Sequence, residues 1–148
     1  MERKLEAKFP GLHATDYSVS SPVDTRYNCI AFAAGDETNW WWPDAAKRAT
    51  YWPHGIATEE TLPAFVSAYA TVGFSECASD KLEHGFEKVA LYADAGGTPT
   101  HASRQLATGR WISKLGKYVD IEHSLHALEG DEYGLVVRIL RRRRGETG

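Results

Sequence analysis

The sequence predicts an α+β fold, with a helical N-terminal half packed on a C-terminal antiparallel β-sheet. Three observations carry this expectation. Apolar residues recur at helical spacing between Thr58 and Gly73. From Phe86 onward the runs are short, rich in strand formers and broken by Gly-containing turns. With 148 residues, 43% of them hydrophobic, the chain suffices for one domain with its own core.

Residues 1–26 read as a polar, irregular segment, with turn formers at Pro10-Gly11 and Ser20-Ser21-Pro22. Cys29 to Gly35 is small and apolar, which reads as a short buried helix with Asn28 as its N-cap. Trp40-Trp41-Trp42-Pro43 and Tyr51-Trp52-Pro53-His54-Gly55 read as aromatic loops, since a proline disfavours helix at the residue before it. Thr58 is the predicted cap of the next helix, with Glu59 and Glu60 in its first turn and Leu62, Phe65, Val66 and Tyr69 on its apolar face.

The second half changes period. Strands are expected over Phe86–Tyr92, His101–Ala107 and Arg110–Leu115, joined by turns at Asp94–Pro99 and Thr108-Gly109. Ile121–Leu128 reads as a short helix stopped by Gly130, and Tyr133–Leu140 as a last strand. Residues 141–148, opening with Arg141-Arg142-Arg143-Arg144, read as a basic C-terminal tail. No repeat or linker divides the chain, so residues 1–148 are taken as a single domain.

Composition narrows the partners. A formal net charge of -3 gives no general reason to bind nucleic acid, leaving only the Arg141–Arg144 run as a phosphate-binding exception. The charged start Met1-Glu2-Arg3-Lys4 lacks the apolar core of a secretory signal. No stretch is apolar and long enough to span a bilayer. A cytoplasmic protein with reduced thiols is expected, without a membrane partner and without a cofactor.

The candidate chemistry lies in Asn28-Cys29-Ile30-Ala31 and Thr98-Pro99-Thr100-His101. A thiol reacts as the thiolate, which a helix N-terminus and a histidine partner both favour. The Cys29 N–H, and the Asn28 side chain if it is not the cap, could donate to an oxyanion. Against this stands the ordinary role of cysteine as a small buried hydrophobe. Cys77 has no comparable setting. His101 is the best placed of the six histidines, at a strand start after a turn holding Gly96 and Gly97. His101 as an ordinary surface histidine of a hairpin is the competing reading.

The block from Thr100-His101-Ala102 through Thr108-Gly109-Arg110-Trp111-Ile112-Ser113 resembles the histidine hairpin of NlpC-type cell-wall peptidases and CHAP-type amidohydrolases. With Cys29 preceding it at a helix start, the layout is similar to papain-like thiol hydrolases. That resemblance implies a papain-like or NlpC-like architecture and a Cys29–His101 dyad. It also implies a third residue on the return strand that orients the histidine, here Ser113 by register. Asp120, Glu122 or His123 are alternatives beyond that strand, and Asp120 is carried with Ser113 as a candidate orienter. The chain is also similar to small bacterial and phage proteins that share an Asn-Cys-Ile-Ala start.

Trp40, Trp41 and Trp42 cannot all face one core, so at least one is expected at the surface, able to stack on a sugar, an aromatic group or a partner. With Trp52 and Asn28 they are candidate substrate-binding residues walling a groove beside the thiol. The alternative is an aromatic lid over a small core.

The expected function is therefore a thiol peptidase or amidase acting on an amide or isopeptide bond of a peptide or protein substrate. The competing expectation is a binding module or phage or bacterial effector on the same scaffold, without catalysis. A metal site from Cys29, Cys77, His101 and His123 lacks the close ligand spacing of zinc sites, so no metal is expected.

Overall fold

The computed structural model describes residues 9, 18–21, 28–36, 39–44, 50–114, 120–130 and 132–144. Its elements are strand β1 (Ser18–Ser21), helix α1 (Cys29–Ala34), helix α2 (Leu62–Ala70), and strands β2 (Ser75–Cys77), β3 (Phe86–Ala93), β4 (Pro99–Gln105), β5 (Trp111–Lys114) and β6 (Asp120–His123). A 3-10 turn (Leu125–Leu128) and strand β7 (Leu135–Arg143) follow. The strands form one seven-stranded antiparallel sheet in the order β1-β6-β5-β4-β3-β7-β2.

This corrects the predicted fold class. The molecule is mostly antiparallel sheet, with two short α-helices among the described residues, not a helical half packed on a sheet. The papain-like, NlpC-like layout expected from the resemblance falls with it. Part of the error lies in Ser18–Ser21. This polar stretch, read as irregular, pairs with β6, Val19 opposite Ile121. Strand formation there depends on a partner a hundred residues away in sequence, and local propensity is a weak guide to such pairing.

α1 forms where the sequence predicts it. The Asn28 side-chain oxygen accepts from the Ala31 N–H at 3.0 Å, and Gly35, at φ 91°, closes the helix in the left-handed conformation. α2 starts later than predicted. Its cap is Thr61, whose hydroxyl accepts from the Ala64 N–H at 3.3 Å, and Pro63 occupies the first turn. Thr58, Glu59 and Glu60 lie before the helix, exposed. Ala64, Phe65, Ala68 and Tyr69 are its buried face.

Both faces of the sheet are covered. On one, α1 and α2 pack with Trp41, Trp52 and Phe74 against Val89, Leu91, Ala102 and Leu140. On the other, Phe9 and the Leu125–Leu128 turn pack against Ala90, Tyr92, Trp111 and Ile121. β3 is therefore buried on both sides from Val89 to Ala93. At about 1.5–3 kcal/mol for each large apolar side chain buried, these two layers are the main favourable term in folding.

Two further expectations change. Ile121, Leu125 and Leu128 recur at helical spacing, but only the second part turns, as 3-10; Asp120–His123 pairs with β5 as a strand. The basic run is not a tail, because Arg141–Arg143 finish β7. Arg141 meets Glu83 at 2.5 Å and Arg142 meets Glu87 at 2.6 Å, and their guanidinium groups lie over Phe86 and Phe74. Pro10-Gly11, Pro22, Leu115 and residues 145–148 lie outside the described residues.

The loop before β7 is closed by Gly130 and Gly134, which bond to each other across a bridge. Gly134 has φ 78°, and a Cβ there would stand 2.0 Å from the Ala93 carbonyl oxygen, so only glycine fits. Tyr133, the residue before it, is thereby held over the sheet.

Candidate active site around Cys29 and His101

Cys29 is the first residue of α1, and α1 lies against β4. The Cys29 thiol is touched by the backbone N–H groups of Ala102, Ile30 and Cys29 itself, and Lys114 is close enough to act on it electrostatically. These four influences favour the thiolate. Burial disfavours it more strongly and pushes the thiol up to about 11. The resting side chain is thus a protonated thiol at neutral pH.

His101 lies on β4, opposite Tyr92 on β3. The predicted hairpin is present, with β4 and β5 joined through a turn in which Gly109 has φ 90°. β-Pairing between the two strands is confined to Arg104–Ile112 and Gln105–Trp111. Towards His101 and Lys114 it is not continued, and the thiol reaches β4 at that stretch, beside Ala102.

Strand alternation sends the His101 ring to the face of Tyr92 and Ser103, while Ala102 faces α1. Thiol and imidazole therefore approach neighbouring residues of β4 from opposite sides. Among the described residues no hydrogen bond joins them.

The His101 ring is firmly set. It stacks on Tyr133 with centroids 4.0 Å apart and planes within 4°, and Tyr92 meets its edge at 5.1 Å. The neighbouring Thr100 hydroxyl donates to the Tyr133 carbonyl. His101 Nε2 is 3.0 Å from the Ser113 hydroxyl. Nδ1 is buried with no hydrogen-bond partner among the described residues. Burial, with a smaller contribution from His123, holds His101 well below the usual histidine range, so it is a neutral imidazole.

Ser113 is a hub. Its Oγ is 2.7 Å from His123 Nε2 and 2.6 Å from Ser103 Oγ. His123 Nδ1 is 2.7 Å from the Ser124 carbonyl. Ser103 Oγ lies 3.1 Å from the Tyr92 hydroxyl, which donates to the Leu125 carbonyl at 2.8 Å. Ser103, Tyr92 and Tyr133 were not legible as site residues. The available signal was the polar alternation His101-x-Ser103-x-Gln105, three buried polar side chains on one face of a strand.

The other candidates are placed differently. Asp120 sits opposite Lys114 in register, which puts both on the α1 side of the sheet, away from the His101 ring. Asn28 serves as cap and brace. Its Oδ1 accepts from the N–H groups of Ala31 and Trp41, both at 3.0 Å, and its amide donates to the Trp41 carbonyl at 2.6 Å.

Trp41 and Trp52 are core residues. Their indole N–H groups donate to Asp36 and to the Ala57 carbonyl, and their rings pack on Tyr69 and Phe65. Trp40 and Trp42 are half-buried, Trp42 edge-on to Phe65. None of the four is exposed, so the lid over a core describes them better than a surface stack. Cys77 is on the edge strand β2, beside β7, and is not brought to the site. Among the described residues no group of His, Cys, Asp and Glu is arranged to hold a metal, and no helix is long and apolar enough to cross a membrane.

No curated protein and no solved structure matches the chain. Residues 18–141 match a family described as "Domain of unknown function (DUF7689)". The match spans β1 to β7 and takes in both the thiol and the buried histidine network, and by it the chain belongs to that family.

Proposed function

We propose that the protein is a thiol hydrolase acting on an amide or isopeptide bond of a peptide or protein, with Cys29 as nucleophile and His101 as base. One observation carries the reading. His101 is anchored through Nε2 on Ser113, its Nδ1 is buried without a partner among the described residues, and the next residue on the strand receives the Cys29 thiol. An imidazole with one nitrogen oriented and the other bare suits general-base work.

In this reading both groups rest uncharged. The thiol proton passes to His101 Nδ1 as the sulfur attacks the carbonyl carbon. The imidazolium then returns that proton to the departing amine, leaving a thioester on Cys29. Water hydrolyses the thioester, with His101 again as base. Thiol and ring lie on opposite sides of β4, which is paired with β3 at His101 and Ala102. The reaction therefore requires them to close on each other past the edge where β4 is not paired with β5.

The test is acyl transfer from a panel of activated peptidyl esters and glutamine-containing peptides, with the modified residue located by mass spectrometry. The reading expects a thioester on Cys29, formed at least about 100-fold more slowly in His101→Ala. Acylation shared equally with Cys77, or unaffected by that substitution in a folded variant, overturns it.

A specific observation favours a second reading. Burial holds the Cys29 thiol up to about 11, and the Asn28 side chain is engaged in capping α1 and holding Trp41, as suits a packed cysteine in a binding module. A partner captured equally well by the wild type and by Cys29→Ala, with no acylation of either, supports that reading instead.

A further inference from the structure

Ser124 presents a carbonyl, which only accepts, at 2.7 Å from His123 Nδ1. That nitrogen must carry the proton. Neutral His123 then has a lone pair on Nε2, 2.7 Å from Ser113 Oγ. A serine hydroxyl has one proton, and Ser113 has two short contacts for it besides His101, to His123 Nε2 and to Ser103 Oγ at 2.6 Å. The unprotonated His123 Nε2 can only accept, whereas Ser103 can itself donate to Ser113, so the proton goes to His123. What Ser113 turns towards His101 Nε2, 3.0 Å away, is a lone pair. His101 must donate there, and a neutral imidazole that donates from Nε2 has its lone pair on Nδ1, the nitrogen without a partner among the described residues. The order of donors runs from His101 through Ser113 and His123 to a fixed backbone carbonyl. Reversing it would place a second proton on His123, which burial opposes by pushing this residue down to about 4.

We propose that His123 is a positioning residue, acting through the Ser113 hydroxyl to hold His101 in the tautomer whose Nδ1 is bare. The functional part of this proposal, that the bare nitrogen receives a thiol proton, rests on the hydrolase reading; the tautomer itself does not. The chemistry needs such a device because, among the described residues, no carbonyl or carboxylate bonds to the His101 ring. A serine alone is ambivalent, able to donate or accept, and a second histidine tied to a carbonyl removes the ambivalence. His123 makes this contact from β6, two strands away from β4, while its ring is buried beside Trp111.

The test is long-range proton–nitrogen correlation on the full chain with 15N-labelled histidine, at neutral pH. The expected spectrum shows His101 protonated at Nε2 and His123 at Nδ1. In His123→Phe the Ser113 proton is released, and His101 should shift towards a mixture of tautomers. In His123→Gln, whose carbonyl oxygen takes the place of the Nε2 lone pair, the Nε2–H form should return. Acylation of Cys29 is expected to fall at least about 10-fold in His123→Phe and to recover in His123→Gln.

A proton on His101 Nδ1 in the wild type, or a tautomer indifferent to His123→Phe, overturns the proposal. If that variant does not fold, the wild-type spectrum and that of Ser113→Ala, which should lose the Nε2–H preference, decide the matter. The two readings separate cleanly. Tautomers that follow His123 without any acylation of Cys29 uphold the positioning and sink the hydrolase, whereas His101-dependent acylation with an indifferent tautomer does the reverse.

Discussion

Asn28 shows how one side chain can serve two segments. Its Oδ1 caps α1 and also receives the Trp41 N–H, while its amide holds the Trp41 carbonyl. The cap is local and follows from the sequence; the brace to Trp41 depends on the aromatic loop folding back. Removing the side chain leaves two N–H groups and a carbonyl buried without these partners. Asn28→Ala is therefore expected to cost about 2–4 kcal/mol, read from urea unfolding. A loss below about 0.5 kcal/mol would mean that water replaces all three bonds. The same substitution should slow any acylation of Cys29, because it loosens the start of α1 where the thiol is held.

The element whose character differs most from expectation is β7. Four successive arginines suggest a solvated tail, since charge runs are seldom structured. Here the first three continue a strand, because each engaged guanidinium finds an acidic or aromatic neighbour supplied by other elements. Arg142 bonds Glu87 and the Val72 carbonyl, and lies 4.5 Å from the Phe74 ring centroid. Its side chain is 10% exposed. Arg143 faces outward, near the Phe86 ring. Arg142→Ala should cost about 1–3 kcal/mol, because it leaves the Glu87 carboxylate partly buried without this partner. Arg143→Ala should stay within about 0.5 kcal/mol. Equal losses, measured side by side in urea, would show that the run acts through its summed charge and not through individual sites.

At the scale of the whole molecule, burying two neutral histidines makes stability depend on pH. The unfolded chain takes up a proton on His123 near 6.5, whereas burial delays this in the folded protein to about 4. Between these values the unfolded state holds more protons, so stability falls as the pH falls. The stabilisation is present above about 6.5 and is lost on the way down to about 4, amounting to about 3 kcal/mol for His123. His101 adds a loss of the same sign. Urea unfolding at pH 7 and pH 4.5 should show the difference, and His123→Phe should remove part of it. An unchanged slope in that variant would show that His101 or carboxylates, not His123, carry the acid sensitivity.

Taken alone, the sequence determined what depends on near neighbours. The span and caps of α1 and the β4–β5 hairpin follow from turn residues, cap residues and short-range periodicity. Tertiary structure decided what depends on distant partners. Ser18–Ser21 became a strand only because β6 offers an edge, and Asp120–His123 left its helical pattern to pair with β5. Alternation of β4 within the assembled sheet turned His101 towards Ser103, Tyr92 and His123, while Cys29 arrived from the other side. Strand pairing draws its free energy from contacts between residues remote in the chain, so no local window contains the information that selects it.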